Sequence, residues 1–288
     1  MESQPLPAPI PPVPPLPTSK SSSVARWRWW VATILVGAFP FAAAFSSTVR
    51  VKRNGGGEAT LPSSVEGLIF AGSLQLAIIL FFFGIGWLFS RATKSELWMN
   101  WRGGIAPIWQ GALYSIGLRL LPILPFIAIG IVLTMLGYKP EAMTDWISAN
   151  RPQTDGIGDS IRAGSPLYKA VMLSFFSFVV AGFGEELWRV ATMRGLIEIA
   201  PRNLSPLLKN SIAVIVSAVV FGIGHLYQGV VGVGVTALIG IALGAITLHH
   251  RSIWPAVIAH GCFDAASFLM VVLGADKLAP STHFWWMG

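Results

Sequence analysis

Long apolar stretches separated by short polar segments dominate the chain from residue 29 onward. An α-helix needs roughly 20 apolar residues to cross a hydrocarbon core about 30 Å thick. The pattern therefore predicts an all-α, polytopic transmembrane helical bundle. About seven spans are expected, in the runs Trp29–Phe45, Leu68–Phe89, Ile105–Gly137, Leu167–Ala200, Ser211–Leu226, Val230–Leu248 and Ile253–Leu273.

Two local features refine this pattern. The third run is too long for one crossing, so its first half is predicted to lie in the interface with Arg119 near the headgroups. Its second half, kinked by Pro122 and Pro125, is predicted to cross. In the sixth run Gly240 and Gly244 form a GxxxG pair, which predicts a close approach between helices.

Polar segments divide the chain into five parts. Residues 1–28 form a Pro- and Ser-rich tail that is predicted to be disordered. An uncleaved first span is favoured over a signal peptide, because the preceding leader would be unusually long. The other predicted parts are N-terminal transmembrane helices at 29–137, a polar loop and candidate lid at 138–166, a second group of transmembrane helices at 167–275, and an interfacial tail at 276–288.

The composition supports a membrane location. Hydrophobic residues make up 53% of the chain and charged residues only 11%, against roughly 25% charged in an average soluble domain. The net charge of +7 is spread over short loops beside the apolar runs, which indicates contact with the anionic headgroups of a lipid bilayer and no nucleic-acid partner. A small excess of Lys and Arg favours a cytoplasmic N-terminus, and the plasma membrane is the expected location.

Polar side chains in three of the apolar runs point to chemistry. Glu185 and Glu186 are adjacent in one run, although a carboxylate at membrane depth costs roughly 3 kcal/mol. His225, His260 and Asp264 lie in two other runs. Counted along the helices from the same membrane face, these groups lie about 13 to 22 Å deep. The sequence therefore predicts that they form one layer.

Helical spacing orients these groups within each run. His260 and Asp264 are four residues apart and share a helix face, as do Phe221 and His225. Arg189 follows closely enough to pair with either glutamate. The paired carboxylate would stay ionised while the other would suit general acid or base work, but spacing does not decide which glutamate takes which role.

Two carboxylates and two imidazoles in a dry site suit the activation of water. Glu185, His225 and His260 also match a catalytic zinc set, so zinc is a candidate cofactor, although the HExxH helix is absent. A proton-coupled transporter and a noncatalytic membrane scaffold or immunity factor remain as alternatives from other classes.

Three motifs resemble the CPBP (CAAX protease and Abi, bacteriocin-processing) family of intramembrane endopeptidases: Glu185-Glu186-Leu187-Trp188-Arg189, Phe221-Gly222-Ile223-Gly224-His225 and His260-Gly261-Cys262-Phe263-Asp264. The family form has three residues between Glu-Glu and Arg and a Gly after the Arg. Here two residues precede Arg189, and Arg-Gly occurs later, as Arg194-Gly195.

The resemblance implies a catalytic core at 167–275 that cleaves a membrane-associated peptide or protein. It implies that Glu185 activates water with help from His225 and that Glu186 supports it. His260 with Asp264 would stabilise the oxyanion. The family name leaves a requirement for metal undecided.

Overall fold

A computed structural model of the protein describes residues 24–53, 60–139 and 154–274, together with positions 141, 145 and 149. Every regular element among these residues is helical, which confirms the all-α prediction. Residues 1–23 of the Pro-rich tail and the predicted interfacial tail at 276–288 lie outside the described residues.

The helices follow the apolar runs of the sequence. They are α1 (Arg26–Arg53), α2 (Val65–Ser90), α3 (Ala106–Leu120), α4 (Ile123–Met135), α5 (Asp155–Ala163), α6 (Pro166–Ile199), α7 (Pro206–Gly224), α8 (Gly229–His250) and α9 (Trp254–Val272). A short 3-10 turn, Leu226–Gln228, joins α7 to α8.

Serine caps begin three of these helices. The side chains of Ser64, Ser165 and Ser205 accept hydrogen bonds from backbone N–H groups in the first turns of α2, α6 and α7. Pro166 and Pro206 follow two of the caps at the first helical position, where the missing N–H has no helical partner to lose. Local sequence therefore fixes where these helices start.

Among the described residues, five helical segments are long and apolar enough to cross a membrane: α2, α6, α7, α9 and the segment Leu226–His250. The predicted count of about seven spans is not confirmed. The run Ile105–Gly137 forms two helices of 15 and 13 residues, each shorter than a full crossing. The run Trp29–Phe45 lies in α1, whose side chains are described only as far as Phe41.

Helix α3 packs against α9 instead of lying apart in an interface. The Arg119 guanidinium donates hydrogen bonds to the carbonyls of Cys262, at 3.5 Å, and Phe263, in the middle of α9. It also stacks on the Phe263 ring, 4.6 Å from its centroid. The expectation that Arg119 lies near the headgroups stays a prediction, and the structure places its guanidinium against the middle of α9.

Glycines permit the closest helix contacts. A Cβ atom at Gly182 of α6 would lie 2.8 Å from the Val257 carbonyl of α9. A Cβ atom at Gly240 of α8 would lie 3.2 Å from the Cα of Ala218 in α7. The predicted close approach at the GxxxG pair is confirmed, and α6, α7, α8 and α9 form a tightly packed group.

Helix α6 changes its hydrogen-bond pattern before the glutamate pair. Between Met172 and Glu185 the backbone follows the i→i+5 pattern of a π-helix, and α-helical geometry resumes at Glu186. Segments with this wider turn rotate the following residues relative to an α-helix and are frequent at functional sites. The transition therefore falls between the two glutamates.

Candidate functional site

Glu186 is the centre of a buried ionic cluster. Its carboxylate accepts hydrogen bonds from Arg189 Nε at 2.9 Å and Arg189 Nη2 at 3.1 Å, and the two side chains are each only 1% exposed. His260 Nδ1 lies 2.9 Å from Glu186 Oε1. A bidentate arginine pair of this kind is strong and directional, so Glu186 is held in one orientation.

Arg189 has further contacts on the other side of its guanidinium. Its Cζ lies 4.0 Å from the centroid of the Phe221 ring, a cation–π contact. Its Nη1 lies 3.5 Å from the carbonyl of Gly240, where a Cβ atom would come within 2.8 Å of that nitrogen. The glycine thus leaves room for the arginine, which joins α6 to α7 and α8.

Glu185 has different surroundings from its neighbour. It lines a cavity and its side chain is 14% exposed. Within the described part of the chain, its Oε2 atom is buried without a hydrogen-bond partner, and the nearest His260 nitrogen, Nε2, is 3.8 Å away. Of the two adjacent carboxylates, Glu185 is therefore the one that lines the cavity.

His260 connects the two glutamates with Asp264. Its Nδ1 faces Glu186, whereas its Nε2 lies 3.8 Å from both Glu185 Oε2 and Asp264 Oδ2. The predicted shared face of His260 and Asp264 is confirmed by this contact. Since carboxylates face both ring nitrogens, the imidazole is suited to donate hydrogen bonds on both sides.

His225 is placed by the end of α7. It follows the last helical residue, Gly224, and its Nδ1 lies 2.9 Å from the carbonyl of Phe221. A hydrogen on Nδ1 satisfies that carbonyl and leaves the lone pair on Nε2. The Phe221 ring packs at its edge against both histidines, with ring centroids 4.6 Å from His225 and 6.1 Å from His260. The Phe221 ring therefore contacts both histidines.

The cavity has a volume of about 200 Å³ and brings the candidate groups together. Glu185, His225, His260 and Asp264 all line it, so the four groups predicted to lie in one layer meet at one cavity. Apolar side chains make up most of the rest: Leu61, Ile157, Met172, Phe176, Val180, Ile239, Phe263 and Phe268. Ile157 belongs to α5, so a helix from the predicted polar loop lies directly against the cavity.

The sequence alone did not decide between Arg189 and Arg194 as the arginine of the site, and it missed part of the cavity lining. Arg189 pairs with Glu186, whereas Arg194 pairs with Glu198, with Nη2 and Oε1 2.6 Å apart. The cavity also contains Gln75 and Thr236, which no motif indicated. Their signal in the sequence is weak, because an isolated amide or hydroxyl in an apolar helix is also explained by a local hydrogen bond.

Among the described residues, no group of three or more His, Cys, Asp or Glu side chains is arranged to hold a metal ion. In the candidate zinc set of Glu185, His225 and His260, the Nδ1 atoms of the two histidines face the Phe221 carbonyl and Glu186, so only their Nε2 atoms could bind a metal. No step below is therefore routed through a metal.

Residues 167–266 match the family model described as type II CAAX prenyl endopeptidase Rce1-like. The matched region contains all three motifs and supports the assignment of the chain to the CPBP/CAAX protease family. The match and the apolar helices support an integral membrane protein of a peptidase family. The comparisons with curated proteins and with solved structures found no match.

Proposed function

We propose that the protein is an intramembrane endopeptidase that hydrolyses a peptide bond of a membrane-associated substrate with a water molecule activated by Glu185. The observation that carries the proposal is the unequal environment of the two glutamates. Glu186 forms hydrogen bonds with Arg189 and His260, whereas Glu185 lines the cavity and its buried Oε2 atom has no hydrogen-bond partner among the described residues. The family match supports the same reaction class.

In the proposed reaction, Glu185 removes a proton from water as the water oxygen bonds to the carbonyl carbon. The electron pair of the C=O double bond moves to the carbonyl oxygen, which becomes an oxyanion. His260, whose Nδ1 faces Glu186, donates a hydrogen bond to that oxygen from Nε2, with Asp264 beside this nitrogen. When the tetrahedral intermediate collapses, the C–N bond breaks and Glu185 returns its proton to the leaving nitrogen.

The other candidate residues position these groups. The Nε2 lone pair of His225 accepts a hydrogen bond from the second O–H of the attacking water. This hydrogen bond orients the water. Glu186 and Arg189 hold His260 at its Nδ1 side. Phe221 fixes the distance between the histidines and covers the guanidinium of Arg189. The residues assigned to catalysis all fall within 167–275, which we propose as the catalytic core.

The apolar lining supports a substrate that is itself associated with the membrane. A segment that enters this cavity gives up water, which its apolar side chains or a lipid modification can favour and an exposed polar peptide cannot. The experiment below therefore compares prenylated and unprenylated substrates.

The test compares the full chain with Glu185→Gln and His225→Ala in membranes whose proteins carry terminal tags, and it measures the loss of cleavage products. Glu198→Gln is the matched control, since Glu198 lies in the same helix but pairs with Arg194 outside the cavity. Purified chain is also given quenched peptides with and without an S-farnesyl cysteine.

We expect Glu185→Gln to lower the cleavage rate by about 10²- to 10⁴-fold, the contribution of a general base. The control should remain close to the wild-type rate. Cleavage that continues at the wild-type rate in both Glu185→Gln and His225→Ala would contradict the proposal. A parallel incubation with a strong chelator tests the reaction without metal, and loss of activity there would show that the metal-free scheme is wrong.

A further inference from the structure

Tyr227 lies beside the candidate site but belongs to none of the three motifs. It occupies the middle of the turn Leu226–Gln228, two residues after His225. Gly229 follows with a φ of 82°, a left-handed conformation that glycine adopts at little cost. This glycine lets the chain reverse into α8 immediately after the tyrosine, so the turn geometry holds the phenol at the end of α7.

The hydroxyl of Tyr227 is held from one side by a buried amide. Gln228 Nε2 donates a hydrogen bond to the phenol oxygen at 3.1 Å, and Gln228 is only 3% exposed. The Gln228 Oε1 atom in turn accepts from Thr236 Oγ1 at 3.4 Å. Because the phenol oxygen accepts a hydrogen bond here, its own O–H remains to donate elsewhere.

Gly232 leaves the space that this amide needs. A Cβ atom at Gly232 would lie 2.4 Å from the Gln228 Cβ and 3.1 Å from its Oε1. The amide therefore packs against the first turn of α8, and a larger residue at position 232 would displace it. The support of the phenol oxygen is thus built into the local sequence of the turn and the helix that follows.

The phenol faces the same cavity as the proposed catalytic groups. Tyr227 lines it together with Glu185, His225 and Asp264, and its ring centroid lies 5.9 Å from that of His225. Within the described part of the chain no hydrogen bond donated by the Tyr227 hydroxyl is found. The phenol lines the cavity, so its O–H is available to a molecule bound there.

We propose that Tyr227 is a further catalytic residue, whose O–H donates a hydrogen bond to the oxyanion formed on the scissile carbonyl, with Gln228 as its positioning residue. This inference rests on the proposed function. The phenol keeps its proton throughout, since the proton that reaches the leaving nitrogen comes from water through Glu185. Two donors, His260 and Tyr227, then share the negative charge of the intermediate.

The first test is Tyr227→Phe in the full chain, assayed with a quenched peptide built around the cleavage site that the membrane comparison identifies. We expect kcat to fall by about 100-fold, the loss typical of one oxyanion donor, with KM within twofold. Tyr114→Phe is the matched control, because that phenol bonds to His250 Nε2 at 2.9 Å outside the cavity. Its kinetics should match the wild type.

A second measurement separates catalysis from packing. A peptide aldehyde, whose hydrate resembles the tetrahedral intermediate, should lose affinity for Tyr227→Phe by at least tenfold more than the uncleaved substrate peptide does. Gln228→Leu should give a smaller fall in kcat, and the double variant should match Tyr227→Phe alone, because the amide acts through the phenol.

The outcomes distinguish this inference from the proposed function. If the wild type cleaves, Glu185→Gln is inactive and Tyr227→Phe retains full kcat, the role of Tyr227 is wrong while the endopeptidase stands. Equal losses of affinity for the aldehyde and the substrate would also overturn it. If no wild-type cleavage is found, the proposed function fails first and the role of Tyr227 fails with it.

Discussion

The buried pair of Glu186 and Arg189 gives the sharpest prediction about stability. Replacing Arg189 with Met removes two hydrogen bonds, of 2.9 and 3.1 Å, and a cation–π contact at 4.0 Å. It leaves the Glu186 carboxylate, 1% exposed, with His260 as its remaining partner. Removing one member of a buried ion pair costs about 3–5 kcal/mol, so Arg189→Met should lower the free energy of unfolding by that amount.

The double variant Glu186→Leu, Arg189→Met removes both charges and should cost less than the sum of the single variants. The difference is expected to be about 3 kcal/mol, because neither charge is then left buried without its partner. The assay is reversible unfolding in mixed micelles, with the free energy taken from the denaturant dependence. Arg162→Met is the control: its pair with Asp159 is at the surface, where such pairs are worth about 0–1 kcal/mol.

The result that would refute this reasoning is a stability of Arg189→Met within about 1 kcal/mol of the wild type, since such a value would place the pair in the class of exposed ion pairs. Strict additivity of the two single variants would refute it as well. Activity gives an independent check. Because Glu186 holds His260, all three variants at the pair should lose cleavage activity, including a stable double variant.

Two further predictions use residues near this pair. Gly240→Val should lower the free energy of unfolding by about 1–3 kcal/mol, since a Cβ would lie 2.8 Å from Arg189 Nη1. The control Gly234→Ala, in the same helix with open space around it, should be neutral or stabilising by up to about 1 kcal/mol. Equal effects of the two substitutions on stability would contradict the packing argument. Arg194→Met should keep the cleavage rate within about threefold of the wild type, because Arg194 pairs with Glu198 outside the cavity. A loss of cleavage activity as large as that of Arg189→Met would show that Arg194, and not Arg189, supports the site.

The sequence by itself determined the local structure and the identity of the chemical groups. Apolar runs predicted where most of the helices lie, because length and hydrophobicity depend on nearby residues. Spacing of four residues predicted that Asp264 shares a face with His260, since helical geometry is independent of the rest of the fold. The order of the motifs also predicted the family, which the match over residues 167–266 supports.

Only the tertiary structure decided which face each helix turns to its neighbours. Helices that are apolar all round carry little indication of their orientation in a bundle, so the sequence could not tell which glutamate faces the cavity. In the structure the π-helical section ends at Glu185, which lines the cavity, and Glu186 pairs with Arg189. The contacts of Arg119 could not be predicted from the sequence either. Its guanidinium donates to backbone carbonyls of α9, which no residue pattern identifies. Contacts between helices far apart in sequence depend on how their surfaces pack, and packing is a property of the assembled bundle.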